Sequence, residues 1–177
     1  MWRYVGFDES NHGFDKIKYA HLPEICVALN AENPEEAKKN STLFPKPRHK
    51  IDCIEKDRHD YSYLLFSESD RIVIPDNQKL GIVLGSLIKG KPIKHFLEYY
   101  VDGVWDEWDK SFAQEVISDI CHIDKTNITV HDGKDLDRKI KIVNCADIRA
   151  YWLLRTKTID DLKKDPRRKE LLLHYIE

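Results

Sequence analysis

The sequence predicts an α/β fold: a mixed five-stranded sheet flanked by helices, in the order β-β-β-α-β-α-β-α. Three observations predict it. Three apolar runs of strand length precede the first long helical pattern, strand-like and helix-like segments alternate after it, and clusters of Gly, Pro, Asn and Asp separate the segments. At 177 residues, the chain is expected to form one domain over 1–177, since domains run to roughly 100–200 residues.

Trp2 to Phe7, rich in aromatic and β-branched residues, reads as the first strand and runs into the polar cluster Asp8-Glu9-Ser10-Asn11-His12-Gly13. Glu24 to Leu29 is a second short buried strand. Residues 30–60 hold Asn33-Pro34, Pro45, Pro47 and many charges, so a surface excursion is expected there, with Pro34 opening a short helix. Tyr61 to Ser67 is the third strand. From Asp76, apolar residues at Leu80, Val83, Leu84, Leu87 and Ile88 keep helical spacing up to a stop at Gly90. His95 to Val101 is the fourth strand, reaching Asp102-Gly103. Asp109 or Ser111 is the expected cap of the next helix, which carries Phe112, Val116, Ile117 and Ile120. Ile128 to Val130 is the fifth strand, followed by His131-Asp132-Gly133. A helix is expected from Val143 to about Lys157, then a helical extension at 159–177, broken or restarted near Pro166.

Composition narrows the function. No apolar run approaches the roughly 18–20 residues that cross a bilayer, and the N-terminus carries no apolar leader, so a cytoplasmic protein with no membrane partner is expected. Cys26, Cys53, Cys121 and Cys145 form no CxxC pair and are read as thiols in a reducing compartment. A zinc site from His49, Cys53, Cys121 and His122 is conceivable, but zinc ligands come in tight pairs and an incidental mixture is the preferred reading. A net charge of −2 argues against a protein that coats nucleic acid non-specifically, yet suits an enzyme with basic patches around an acidic centre.

Several carboxylates stand where such a sheet would gather them. Asp8 ends the first strand, Asp102 ends the fourth, and Asp147 sits early in the helix that opens near Val143. An Asp-Glu pair directly after an apolar strand is costly beside a core. Asp102 before Gly103 is equally a turn former, and Asp147 equally half of a surface ion pair. If the first and fourth strands are neighbours, Asp8 and Asp102 leave one edge of the sheet and the helix delivers Asp147 opposite. Carboxylates so gathered repel unless a divalent cation neutralises them, and hard oxygen ligands suit Mg²⁺ or Mn²⁺. A pair of such ions about 3.5–4 Å apart is the usual clamp for phosphodiester displacement. Glu9 would face away from Asp8 and support it.

Val5-Gly6-Phe7-Asp8-Glu9-Ser10 resembles the opening h-x-h-D-E-S-G strand of a large prokaryotic family of ribonuclease H-like proteins. Val143-Asn144-Cys145-Ala146-Asp147-Ile148-Arg149-Ala150 is similar to that family's closing h-Q-h-A-D-h-h-A helix. Asn11 stands where the family has glycine, and Asn144 where it has glutamine. The resemblance brackets residues 2–157 and implies a ribonuclease H-like fold with a two-metal nuclease centre on Asp8, Asp102 and Asp147, Asp132 and Asp135 being reserve ligands. It also looks like the resolvase branch, because the helix from Asp76 to Gly90 has no acid after Asp76. Asn144, Ser10, Arg149 and Lys141 are the expected substrate contacts. Lys89, Lys91, Lys94, Arg138, Lys139 and Arg155 are candidates for holding phosphates, Trp105 and Trp108 for stacking on a base, and His12 and His131 for acid–base work. The expected function is metal-dependent hydrolysis of nucleic-acid phosphodiesters. The rival is a non-catalytic ribonuclease H-like module that binds nucleic acid or a protein.

Overall fold

In the computed structural model, the structure describes residues 1–10, 22–38 and 58–176. Asn11, His12, His49, Cys53 and much of the 30–60 excursion lie outside the described residues. The described strands are β1 (Tyr4–Ser10), β2 (Glu24–Ala31), β3 (Tyr61–Phe66), β4 (Leu97–Asp102) and β5 (Ile128–Gly133). They form one mixed sheet in the order β3-β2-β1-β4-β5. β1 pairs antiparallel with β2, and β2 with β3, while β1–β4 and β4–β5 are parallel.

Parallel neighbours need crossovers, and helices supply them. α1 (Pro34–Lys38) and α2 (Glu68–Val73) are short; α3 (Asp76–Ile88) joins β3 to β4, α4 (Glu107–Cys121) joins β4 to β5, and α5 (Lys141–Thr156) and α6 (Ile159–Lys164) follow the sheet. Strand alternation sends Val5, Phe7 and Val101 to one face, against Ile82, Val83 and Leu84 of α3 and Phe112 and Val116 of α4. Ile25, Val27 and Leu29 face the other way, against Val143, Ala146, Ala150 and Leu153 of α5. Because both faces are covered, β2 is buried along its whole length.

Several boundaries differ from those expected. β1 runs past Asp8 to Ser10, β2 to Ala31 and β5 to Gly133, so Asp8 lies within β1 and His131-Asp132-Gly133 within β5. α4 begins at Glu107 behind an extended Asp106, so Asp109 and Ser111 lie inside the helix; the stacking of Trp108 on Phe112, at 5.6 Å between centroids, belongs to that added turn. α5 begins at Lys141, where Ile142 is already buried. α2 was not foreseen: a capping box between Ser67 and Asp70 holds it, and it buries none of its residues. The expected extension is α-helical from Ile159 to Lys164 and breaks there, because Asp165, which precedes Pro166, is extended (φ −66°, ψ 130°); it resumes only as a single 3₁₀ turn at Leu173–Tyr175. Beyond it the chain runs beside the outer edge of β3: the Tyr63 N–H donates to the Arg167 carbonyl at 3.1 Å, and the Lys169 N–H to the Tyr63 carbonyl at 2.7 Å.

Candidate metal centre

The first and fourth strands are neighbours, with Phe7 beside Val101, so Asp8, the first residue of β1 past its pairing with β4, lies next to Asp102 at the end of β4. β1 advances about 3.3 Å per residue and an α-helix about 1.5 Å, so two strand residues match four or five helical ones. That ratio lays α5 along β1. Gly6 lies under Ile142 and Val143, Asp8 comes beside Asp147, and the Ser10 hydroxyl donates to the Ala150 carbonyl at 3.2 Å.

A carboxylate oxygen from each of Asp8, Asp137 and Asp147 lies within 4.8 Å of the others. Asp8 is buried, with only 7% of its surface exposed. Burial first, then the negative charges of Asp147, Asp102 and Asp137, push its carboxyl well above the ordinary range, although the Glu9 N–H donates to it at 2.8 Å. A buried acid among acids is the electrostatic setting a divalent cation relieves, and an all-oxygen donor set fits Mg²⁺ or Mn²⁺. The residues therefore fit such an ion. Asp8 and Asp102 also line one cleft of about 250 Å³ with Phe7, Glu9, Gly103, Val104 and Trp105.

The other anticipated residues fall in different places. The Asp102 carboxylate accepts the Leu136 N–H at 2.7 Å. Glu9 turns to the α3 side, 3.6 Å from Lys79, which also reaches buried Glu24 at 3.4 Å; Arg71 pairs with Glu24 as well, and the Cys26 thiol points at Glu9. Asn144 is buried one helical turn before Asp147. Arg149 is buried over the rings of Tyr61 and Trp152, at 4.5 and 5.2 Å. Lys141 lines a separate cavity with Met1, Trp2 and His59, beside the opposite end of β1. Asp132 holds the Trp105 N–H at 2.8 Å and Lys110 at 3.1 Å, and the Trp105 indole donates to the Asp102 carbonyl. His131 stacks on Tyr100.

Asp137 was not anticipated. It lies in a one-turn 3₁₀ helix, Leu136–Arg138, behind Asp135 in the left-handed conformation at φ 58°. The only sequence signal for it is the density of acids in Asp132-Gly-Lys-Asp135-Leu-Asp137 just ahead of α5.

No family model matches the sequence, and no curated protein is significantly similar to it. Among solved structures, the chain is similar to one from the PCNA:RNase HII complex of Archaeoglobus fulgidus, with a TM-score of 0.60 over 93% of this chain and 82% of that one, at 19% identity. The fold is ribonuclease H-like. Within a ribonuclease H-like fold, the two strand ends and the last long helix converge on the acids described above. Among the described residues, no helix is long and apolar enough to cross a membrane.

Proposed function

We propose that this chain is a metal-dependent phosphodiesterase that hydrolyses nucleic-acid phosphodiester bonds, acting as a single ribonuclease H-like unit. The observation that carries the proposal is the convergence of Asp8, Asp137 and Asp147 within 4.8 Å around a buried carboxyl. Nucleic acid as substrate rests on the shared fold with an RNase HII. Cytoplasmic action fits the unpaired thiols of Cys26 and Cys121.

In this reading Asp8 and Asp147 hold Mg²⁺ or Mn²⁺, with the third carboxylate supplied by Asp102 or Asp137. When bound, such ions would supply an acidified water and offset the charge that builds on the leaving oxygen. The protein's part is to fix the carboxylates. β1 holds Asp8 through its backbone ladder, Ser10 ties the strand end to α5, and the ion cluster of Glu9, Lys79, Glu24 and Arg71 braces the opposite face. In this reading Asn144, buried one turn before Asp147, would hold a phosphate oxygen, and Arg138 and Lys139, which follow Asp137, would hold phosphates of the strand. Arg149 and Lys141 take other roles, the first packing α5 on Tyr61 and the second at the far end of the sheet.

The test is a set of cleavage assays with single-stranded, duplex and RNA–DNA hybrid substrates in Mg²⁺ and Mn²⁺, comparing wild type with Asp8→Asn. Wild-type cleavage that disappears in the variant supports the reading. Mn²⁺-dependent thermal stabilisation without cleavage of any substrate would instead favour the non-catalytic binding module.

A further inference from the structure

Building on the metal-centre reading, the geometry points to a division of labour among the acids: Asp137 is the third metal ligand, and Asp102 is a positioning residue that holds the Asp137 turn in place. Asp102 ends β4 beside Asp8, the place where a ligand was expected. Asp102 is nevertheless outside the set of carboxylates that lie within 4.8 Å of one another, whereas Asp137 is inside it. The Asp102 Oδ1 accepts the Leu136 N–H at 2.7 Å. A carboxylate on a backbone N–H is a strong, directional bond, and this one falls on the residue next to Asp137.

The rest of the turn is built to make that anchor effective. Gly103 and Gly133 exchange backbone hydrogen bonds at 2.9 and 2.8 Å, which fixes the end of β4 to the end of β5. Asp135 then reverses the chain in the left-handed region, and the Arg138, Lys139 and Ile140 N–H groups close back on Asp135 and Leu136 at 2.8–3.0 Å. The Leu136 side chain packs against the α5-side core and lies over Gly133. Leu136 is thus held by its side chain in the core and by its N–H on Asp102, and the following residue comes to Asp8 and Asp147.

Three variants separate the roles, because an asparagine at 102 keeps an oxygen for the Leu136 N–H but is a poor ligand for a hard cation. Mn²⁺ affinity is measured by calorimetry and Leu136 amide exchange by mass spectrometry. Asp137→Asn is expected to weaken Mn²⁺ by at least about tenfold and leave Leu136 exchange unchanged. Asp102→Asn is expected to hold Mn²⁺ within about threefold of wild type and to keep Leu136 protected. Asp102→Ala is expected to weaken Mn²⁺ and speed Leu136 exchange together. Asp102→Asn losing as much affinity as Asp137→Asn, or Asp137→Asn losing none, overturns the assignment. A wild type that takes up no Mn²⁺ removes the metal reading and with it the ligand role of Asp137. Leu136 exchange in the two Asp102 variants still decides the anchoring role in that case.

Discussion

Gly6 of β1 lies directly beneath the backbone of Ile142 in α5: a Cβ at Gly6 would stand 2.3 Å from the Ile142 carbonyl oxygen and 2.8 Å from the Val143 nitrogen. Both contacts are backbone, so no side-chain rotation relieves them. Gly6→Ala is therefore expected to destabilise the protein by about 3 kcal/mol, the upper end for overpacking, and to lever Asp147 away from Asp8. Urea denaturation reads the first effect and Mn²⁺ calorimetry the second. A variant as stable as wild type would show that α5 does not rest on this glycine.

The order of strands and long helices was legible in the sequence because it follows from the length and spacing of apolar runs; β2, buried at every position, reads as a short continuous run, and α4, which buries Phe112, Ala113, Val116 and Ile117, keeps the helical period. Asp8 and Asp147 could be picked out because one ends an apolar strand and the other sits in the first half of a periodic helix. Asp137 could not, since a one-turn 3₁₀ helix has no period and its place depends on the long-range bond from Leu136 to Asp102. The opposite orientation of Glu9 was readable from strand alternation, but its partners were not: Lys79 and Glu24 meet it only through the packing of α3. Arg149 looked like a phosphate ligand by charge, and the rings that cover it come from β3 and from its own helix.

The charge gathered on Asp8 has a cost in the metal-free protein. Burial and three neighbouring acids raise its carboxyl, so at neutral pH the ionised form opposes folding. Asp8→Asn is expected to melt higher than wild type in EDTA, by roughly 2–4 °C for each 1 kcal/mol relieved. Added Mn²⁺ should then raise the wild-type melting temperature and leave that of the variant in place. Equal melting temperatures in EDTA would count against the repulsion.

Asp132 behaves in the opposite sense. Burial alone would raise its carboxyl, but the Trp105 N–H and Lys110 outweigh burial and hold it below the ordinary range. A depressed carboxylate stabilises the fold above its unfolded value of about 3.9 and loses that contribution as pH falls through its folded value. Asp132→Asn should cost about 1–2 kcal/mol at neutral pH and flatten the loss of stability below about pH 4. Thermal melts across pH 2–7 check both, and an unchanged acid limb would remove Asp132 from the account.

Lys79 stands between Glu9 and the almost fully buried Glu24. Lys79→Met leaves the two acids with Arg71 alone, and about 2 kcal/mol is the expected cost, less than the ~3–5 kcal/mol of a pair broken in full burial. The double variant Lys79→Met, Glu24→Gln should recover part of that loss in urea denaturation. A double variant no more stable than Lys79→Met would show that the unpaired Glu24 charge is not its source.

The segment from Arg167 to Lys169 has a bearing on solution behaviour that its place in the fold makes plain. β3 is an outermost strand, and an outermost strand with open N–H and C=O groups is a template on which another chain can grow. By lying against Tyr63 and satisfying both its backbone groups, this segment interrupts the template at the middle of β3 from within the same molecule. Cutting the chain after Lys164 would leave the sheet and the acidic residues intact in sequence, yet uncover a sticky border. Such a truncation is a candidate for aggregation rather than for unfolding, and the tail serves the protein as a guard against joining its own copies.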